Sequence, residues 1–281
     1  MQSLVTTQWL HDNLDTRGLV LFDASAHLPA AQRDPAREFA EAHIQGARFL
    51  YLKAMTNPDD PVPSAPPTRA QFDAHLAALN LPGDARIVLY DNSPMRTAAR
   101  AWFLLRMFGV EAQVLDGGLE KWRSENRPVT AGEKPTTLRA FSSAGGPETN
   151  ALRFKQDMLT NIDTAAEQVV DARDAARFRG EAPDIRSRVA AGHIPGSRNL
   201  PFGNVLNANG TFKNADGIRA AFAAASVDLN RPIVTSCGSG ITASVLLFAL
   251  HLIGIDGALY DGSWSEWGAD PSLPVATGEH A

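Results

Sequence analysis

Arg231-Pro232-Ile233-Val234-Thr235-Ser236-Cys237-Gly238-Ser239-Gly240-Ile241-Thr242-Ala243-Ser244 is the stretch on which the reading of the fold turns. The short apolar run from Pro232 to Ser236 predicts a buried strand, and the mostly apolar run from Ile241 to Ile253 predicts a helix buried on most faces. Cys237, the only cysteine of the chain, falls between them. Glycines on both sides of Ser239 permit a tight curl, so the backbone N–H groups of Gly238 to Thr242 would point at the sulfur while the helix N-terminus adds positive potential. Such surroundings favour the thiolate, the nucleophilic form. The competing reading is a buried, inert cysteine that packs as a small hydrophobe, which the glycines directly after it suit poorly.

The bulk properties narrow the class. A chain of 281 residues is long for one core and comfortable for two domains, and 44 % hydrophobic with 20 % charged residues is an ordinary globular balance. A single cysteine excludes an intramolecular disulfide framework and a multi-cysteine metal site, and it fits a reducing, cytoplasmic setting. Met1 to Leu10 has neither the basic start nor the apolar core of an export signal, and no apolar run approaches a membrane span, so a soluble protein without membrane partners is expected. A net charge of −5 with both signs interspersed argues against nucleic-acid binding.

The two halves of the chain share landmarks in the same order. Each opens on an apolar strand ending in Asp-Ala, Val20 to Ala24 and Gln168 to Ala172. Each continues to His-Ile-x-Gly, His43 to Gly46 and His193 to Gly196, and then to a second apolar strand, Arg86 to Tyr90 and Pro232 to Ser236, followed by a helix. Asp116-Gly117-Gly118 with Trp122 then matches Asp261-Gly262-Ser263 with Trp267. Cys237 therefore answers to Asp91 or a near neighbour. Short strands alternate with helical stretches such as Arg69 to Leu79, Ala98 to Phe108 and Asp216 to Ala225, which predicts an α/β fold of two small domains, each a largely parallel sheet flanked by helices. The Thr-, Gly-, Pro- and Ser-rich stretch before Asn150 reads as a linker, giving domains at 1–130 and 151–281 around a linker at 131–150. The proline-rich run from Asn57 to Pro67 reads as a surface loop of the first domain. Ligands of parallel sheets bind beyond the carboxyl ends of the strands, where Cys237 lies.

With these landmarks in place, nearly the whole chain resembles the tandem-domain rhodanese-like sulfurtransferases. The loop Cys237-Gly238-Ser239-Gly240-Ile241-Thr242 is similar to that of the 3-mercaptopyruvate sulfurtransferases, with Ile241 where valine is usual. Relatives that use thiosulfate usually carry basic residues right after the cysteine, whereas Gly238 and Ser239 are neutral. The resemblance implies an enzyme that moves the sulfur of 3-mercaptopyruvate through a Cys237 persulfide to a thiol such as thioredoxin, or to cyanide, and releases pyruvate. No metal or organic cofactor is implied, and the pseudo-duplicated pair suggests a monomer.

On the residues alone, Arg177, Arg179 and Arg186 among Glu181 and Asp184 read as a solvated loop. The resemblance instead makes Arg177 and Arg186 the clamp for the substrate carboxylate, a task that suits the guanidinium fork. His193 reads as structural, shaping a tight connection. For His43 two readings stand, the same structural one and a proton relay of Asp34, His43 and Ser239 implied by the resemblance; Gln45 replaces the proline usual beside it. Trp122, Trp264 and Trp267 read as core or interdomain packing. The first half, with Asp91-Asn92-Ser93-Pro94-Met95-Arg96 and no thiol, reads as a non-catalytic partner. Three rivals remain to be weighed: thiosulfate:cyanide transfer, a non-enzymatic binding module, and a Cys-x₅-Arg phosphatase. The last is opposed by Ala243 at the arginine position.

Overall fold

The computed structural model describes residues 2–79, 81, 85–132, 151–184, 186 and 188–279. Among these, one compact unit is built from 2–58, 66–132 and 208–211, and the other from 59–65, 151–207 and 212–279. Most of the proline-rich run thus belongs to the second unit and not, as its position in the sequence suggests, to the first. The predicted linker lies outside the described residues except for 131 and 132.

In the first unit the strands are β1 (Leu4–Val5), β2 (Leu19–Asp23), β3 (His43–Ile44), β4 (Arg48–Phe49), β5 (Arg86–Tyr90), β6 (Ala112–Leu115) and β7 (Val129–Thr130). Five of them form a parallel sheet in the order β1-β6-β5-β2-β4, and β3 pairs with β7 antiparallel. The helices are α1 (Thr7–Asn13), α2 (Pro35–Glu41), α3 (Arg69–Leu79), α4 (Ala98–Met107) and α5 (Gly118–Ser124). The second unit has β8 (Leu152–Arg153), β9 (Gln168–Asp171), β10 (Arg198–Asn199), β11 (Ile233–Ser236) and β12 (Ala258–Tyr260), all parallel in the order β10-β9-β11-β12-β8. Its helices are α6 (Lys155–Thr164), α7 (Ala175–Arg179), α8 (Ala215–Ala224), α9 (Ala243–Leu252) and α10 (Ser263–Trp267).

Strand for strand the two sheets have one topology, β4-β2-β5-β6-β1 matching β10-β9-β11-β12-β8. The central strands β5 and β11 are almost wholly buried because helices cover both faces of a parallel sheet, and so they read as unbroken apolar or β-branched runs. Helix α9 begins at Ala243, two residues later than the apolar run suggests, because Gly240 turns the chain at φ +75° and Ile241 and Thr242 complete the turn.

The tryptophans resolve as core. Trp122 packs in the first unit with Leu10, Val88 and Leu119, while Trp264 and Trp267 pack in the second with Val169, Val234 and Tyr260. Each indole N–H, buried among apolar groups, finds a carbonyl at 2.8 Å: Pro128 for Trp122, Pro274 for Trp267 and Ala190 for Trp264. The paired histidines also share one device. His43 Nδ1 contacts Phe39 O at 2.7 Å with its ring stacked on Phe39, and His193 Nδ1 contacts Phe178 O at 2.8 Å with its ring stacked on Phe178. Both lie where a late segment of their unit returns to pair with them, β7 against β3 and Ala276 against His193.

Candidate active site

Strand β11 delivers Cys237 to its carboxyl end, where the thiol is buried. The Ser239 N–H donates to Sγ at 3.4 Å, which places one backbone dipole on the sulfur. The sequence leads one to expect the other loop amides there too, and the structure corrects this for Gly240. Its N–H, at 3.2 Å, and that of Cys237, at 3.1 Å, both donate to Ser263 Oγ, whose hydroxyl in turn donates to Tyr260 O at 2.8 Å. Ser263 thus fastens the loop from beneath at both sides of its curl.

The loop carbonyls are held as well. Trp264 N–H donates to Cys237 O and Ser265 N–H to Gly238 O, each at 2.9 Å, so the first turn of α10 grips the two residues that open the loop. Arg186 Nη1 donates to the same Gly238 O at 2.7 Å. Behind it, Asp184 receives Arg186 Nε at 2.7 Å and Nη2 at 2.8 Å. Burial works against the Asp184 carboxylate, yet the hydrogen bonds from Arg186 hold its pKa below the usual carboxylate range. Arg186 is therefore part of the loop's support. Arg177 sits in the last turn of α7, its backbone N–H on the capping Asp174 at 3.0 Å and its Nε on the same carboxylate. It is 29 % exposed at the side chain.

In the first unit the residue in the thiol's place is Asp91. Leu119 N–H donates to Asp91 O at 2.9 Å, as Trp264 N–H does to Cys237 O, and Gly118 adopts φ +59° where Ser263 adopts +49°. A Cβ on Gly118 would lie 2.5 Å from Asp91 O, which leaves that position without the hydroxyl Ser263 supplies. The Asp91 carboxylate takes the N–H groups of Ser93 at 3.0 Å and Ala98 at 2.8 Å, so this loop is filled by its own anion. Burial pushes the Asp91 pKa up to about 6, against those hydrogen bonds.

A stability consequence follows from that shift. A carboxyl whose pKa is raised on folding favours the fold below its unfolded value of 3.8, and loses that contribution as pH climbs through about 6. The difference corresponds to roughly 3 kcal/mol by neutral pH. Subtracting the stability of Asp91→Asn from that of the native chain, by urea unfolding at a series of pH values, should give a curve that falls between about pH 4 and 6 and then levels. A difference that rises over the window would contradict the assignment.

Asp34 and His43 belong to the first unit. Asp34 caps α2, accepting the N–H groups of Ala36 at 3.0 Å and Arg37 at 3.2 Å, and His43 is buried on Phe39. Ser239 belongs to the second unit. Asp34 and His43 thus have structural duties within the first unit, and Ser239 serves the sulfur through its backbone N–H. Two residues that matter to the loop were not singled out from the sequence, Ser263 and Asp184. The departure from Gly118 to Ser263 within the repeated Asp-Gly-x element was the available signal for the first, and nothing local marked the second.

Comparison with known proteins agrees with this geometry. The rhodanese-like domain family matches twice, at residues 6–125 and 155–270. The rat 3-mercaptopyruvate sulfurtransferase is 36 % identical over 274 residues, covering 95 % of this chain and 92 % of the relative. The chicken thiosulfate sulfurtransferase is also 36 % identical over 274 residues, covering 95 % and 93 %. The crystal structure of a 3-mercaptopyruvate sulfotransferase from Escherichia coli superimposes with a TM-score of 0.83 at 32 % identity, over 95 % of this chain and all of that one.

Proposed function

This chain belongs to the rhodanese-like family and is an enzyme of its sulfurtransferase class, and from that premise we propose that Cys237 takes the sulfur of 3-mercaptopyruvate as a persulfide and hands it to a thiol or to cyanide. The observation that carries the reading is the placement of the only thiol in a pinned loop at the carboxyl end of the central strand, with an amide on its sulfur. The Cys237 thiolate attacks the mercaptopyruvate sulfur, the carbon–sulfur bond breaks, and its electron pair passes into the enolate of pyruvate. Protonation of the enolate carbon, formally by the proton of the donor thiol, releases pyruvate and leaves a persulfide anion on Cys237. An acceptor thiolate then attacks the outer sulfur and returns the Cys237 thiolate. Ser239 N–H stabilises charge on Sγ, and the Ser239 and Thr242 hydroxyls are the loop's proton donors. No step is routed through Asp34 or His43.

The substrate carboxylate is assigned to Arg177 and Arg186. Neither Gly238 nor Ser239 offers a cation, which favours a donor bound by its acid end over thiosulfate. The two arginines differ in what else they hold, and this separates their variants. Arg177→Gln should raise KM for mercaptopyruvate by roughly tenfold or more with kcat changed less, while Arg186→Gln should depress kcat as well, since Gly238 O loses a donor. Steady-state kinetics with pyruvate as readout checks both, and unchanged KM in Arg177→Gln would remove it from the clamp. The donor itself is decided by comparing kcat/KM for mercaptopyruvate and thiosulfate; a higher value for thiosulfate overturns the choice.

No helix among the described residues is long and apolar enough to cross a membrane. The reading places the enzyme in the cytoplasm, where a lone catalytic thiol stays reduced, working as a monomer with thioredoxin or a small thiol as acceptor.

A further inference from the structure

The first unit has a cavity of about 410 Å³ beside its thiol-free loop, lined by Arg33, Asn92, Ser93, Arg96, Glu120 and Arg123 among others. We propose that this cavity is a binding site for a small tetrahedral oxyanion, held by the guanidinium groups of Arg96 and Arg123. The inference stands apart from the sulfur-transfer reading, because every residue it uses lies in the unit without the thiol.

The charges at the cavity are unequally satisfied. Arg33 is spent, its Nε and Nη2 each 2.6 Å from Glu38 and Nη2 also 3.0 Å from Asn92 O. Glu38, further held by Asn92 Nδ2 at 3.1 Å and His27 Nε2 at 3.2 Å, completes a closed network at the wall. The Arg96 guanidinium lies against Gly210, where an added Cβ would collide with Nη2. Its ion pair is a long one, to Glu120 at 3.4 Å, and Glu120 is 73 % exposed, so an anion displaces that carboxylate into solvent at little cost. Arg123 gives one Nη2 contact of 3.3 Å to Ala42 O, and among the described residues its other guanidinium donors have no hydrogen-bond partner. Two arginines therefore line the cavity, one of them paired at long range with an exposed acid that also lines it.

The backbone explains why side chains and not amides would hold the ion. The N–H groups of Asn92, Ser93 and Ala98 are used by Ser25 Oγ and the Asp91 carboxylate, and Pro94 has none. Arg96 adopts φ +53°, a left-handed conformation that a long side chain enters at a cost, and its side chain is 17 % exposed with the guanidinium packed on Gly210, which restrains the group before any ligand arrives. Two forks reaching in from different elements, the loop and α5, suit the divergent oxygens of a tetrahedral ion better than the single plane of a carboxylate.

The test is calorimetric titration of the full chain carrying Cys237→Ser and Arg177→Gln, which keeps turnover out of the signal and removes one arm of the assigned clamp; binding that remains at Arg186 is told apart by its indifference to the Arg96 and Arg123 variants. Sulfite, thiosulfate and inorganic phosphate are the probes. Saturable binding of at least one is expected, weakened roughly tenfold by Arg96→Gln and again by Arg123→Gln. It should be untouched by Arg37→Gln, an arginine 78 % exposed and paired with Glu41. A preference for the sulfur anions or for phosphate identifies the ion, and either supports the site. Absence of saturable binding, binding retained in both variants, or an equal loss in Arg37→Gln overturns it. Circular dichroism reports whether Arg96→Gln folds, and if it does not, Arg123→Gln decides alone.

Discussion

Cys237→Ser will lose sulfur transfer by on the order of 10⁴-fold or more, because the step in which sulfur is held covalently has no other nucleophile to use. The hydroxyl of a serine in the same loop is a far weaker nucleophile at neutral pH, and among the described residues no base is hydrogen-bonded to Sγ to activate it; Sγ itself receives the Ser239 N–H, a donor that stabilises a thiolate. The fold should be little affected, since the residue's backbone is held by Ser263 Oγ and Trp264 N–H irrespective of its side chain. The measurement pairs pyruvate release with intact mass after exposure to mercaptopyruvate. Native protein should gain about one sulfur atom and the variant none. Pyruvate formation at the native rate by Cys237→Ser would end the covalent mechanism, and a native chain that never gains sulfur would favour a binding module.

Asp171→Ala should destabilise the second unit by about 3–5 kcal/mol, because it strands a buried cation. Asp171 and Arg173 are both almost wholly buried. The carboxylate receives Arg173 N–H at 2.9 Å, Nε at 2.9 Å and Nη2 at 2.6 Å. The guanidinium also donates to Gly192 O at 2.8 Å and lies 4.6 Å from the centre of the Trp264 ring. Trp264 is the residue whose N–H holds Cys237 O, so the same variant should slow turnover as well as lower the denaturation midpoint. Replacing both partners by apolar residues, as in Asp171→Ala with Arg173→Met, should recover most of the loss, since no buried charge is then unpaired. Urea unfolding with unchanged m-value is the check. A cost under about 1 kcal/mol for the single variant would show that Arg173 finds water or another partner. The corresponding Asp23 of the first unit is satisfied by Ser25, through its N–H at 2.9 Å and its hydroxyl, and has no guanidinium partner among the described residues.

The alternation of strand and helix, the duplication and the single nucleophile were all legible in the residue order, because each rests on local pattern. Apolar runs such as Val20 to Phe22 and Ile233 to Thr235 are long enough to be strands and too short to be helices, and the repeated Asp-Ala, His-Ile-x-Gly and Asp-Gly-x elements set the frame. That frame also matched Cys237 to Asp91 or a near neighbour. The structure fixes the equivalent residue as Asp91, since Leu119 and Trp264 hold the two carbonyls in the same way.

What only the tertiary structure decided is how the loop is held. Ser263 lies 26 residues after Cys237 and Arg186 lies 52 before Gly238, separations at which no periodicity or turn rule couples two positions. A parallel sheet gathers the carboxyl ends of β9, β11 and β12 at one edge, so residues remote in the chain meet there and divide the loop's hydrogen bonds among themselves. The amides expected to converge on sulfur were partly claimed by Ser263, and a charged loop expected to lie in water supplied the Arg186 brace. Sequence order names the thiol; the crossing of strands determines which groups are left to act on it.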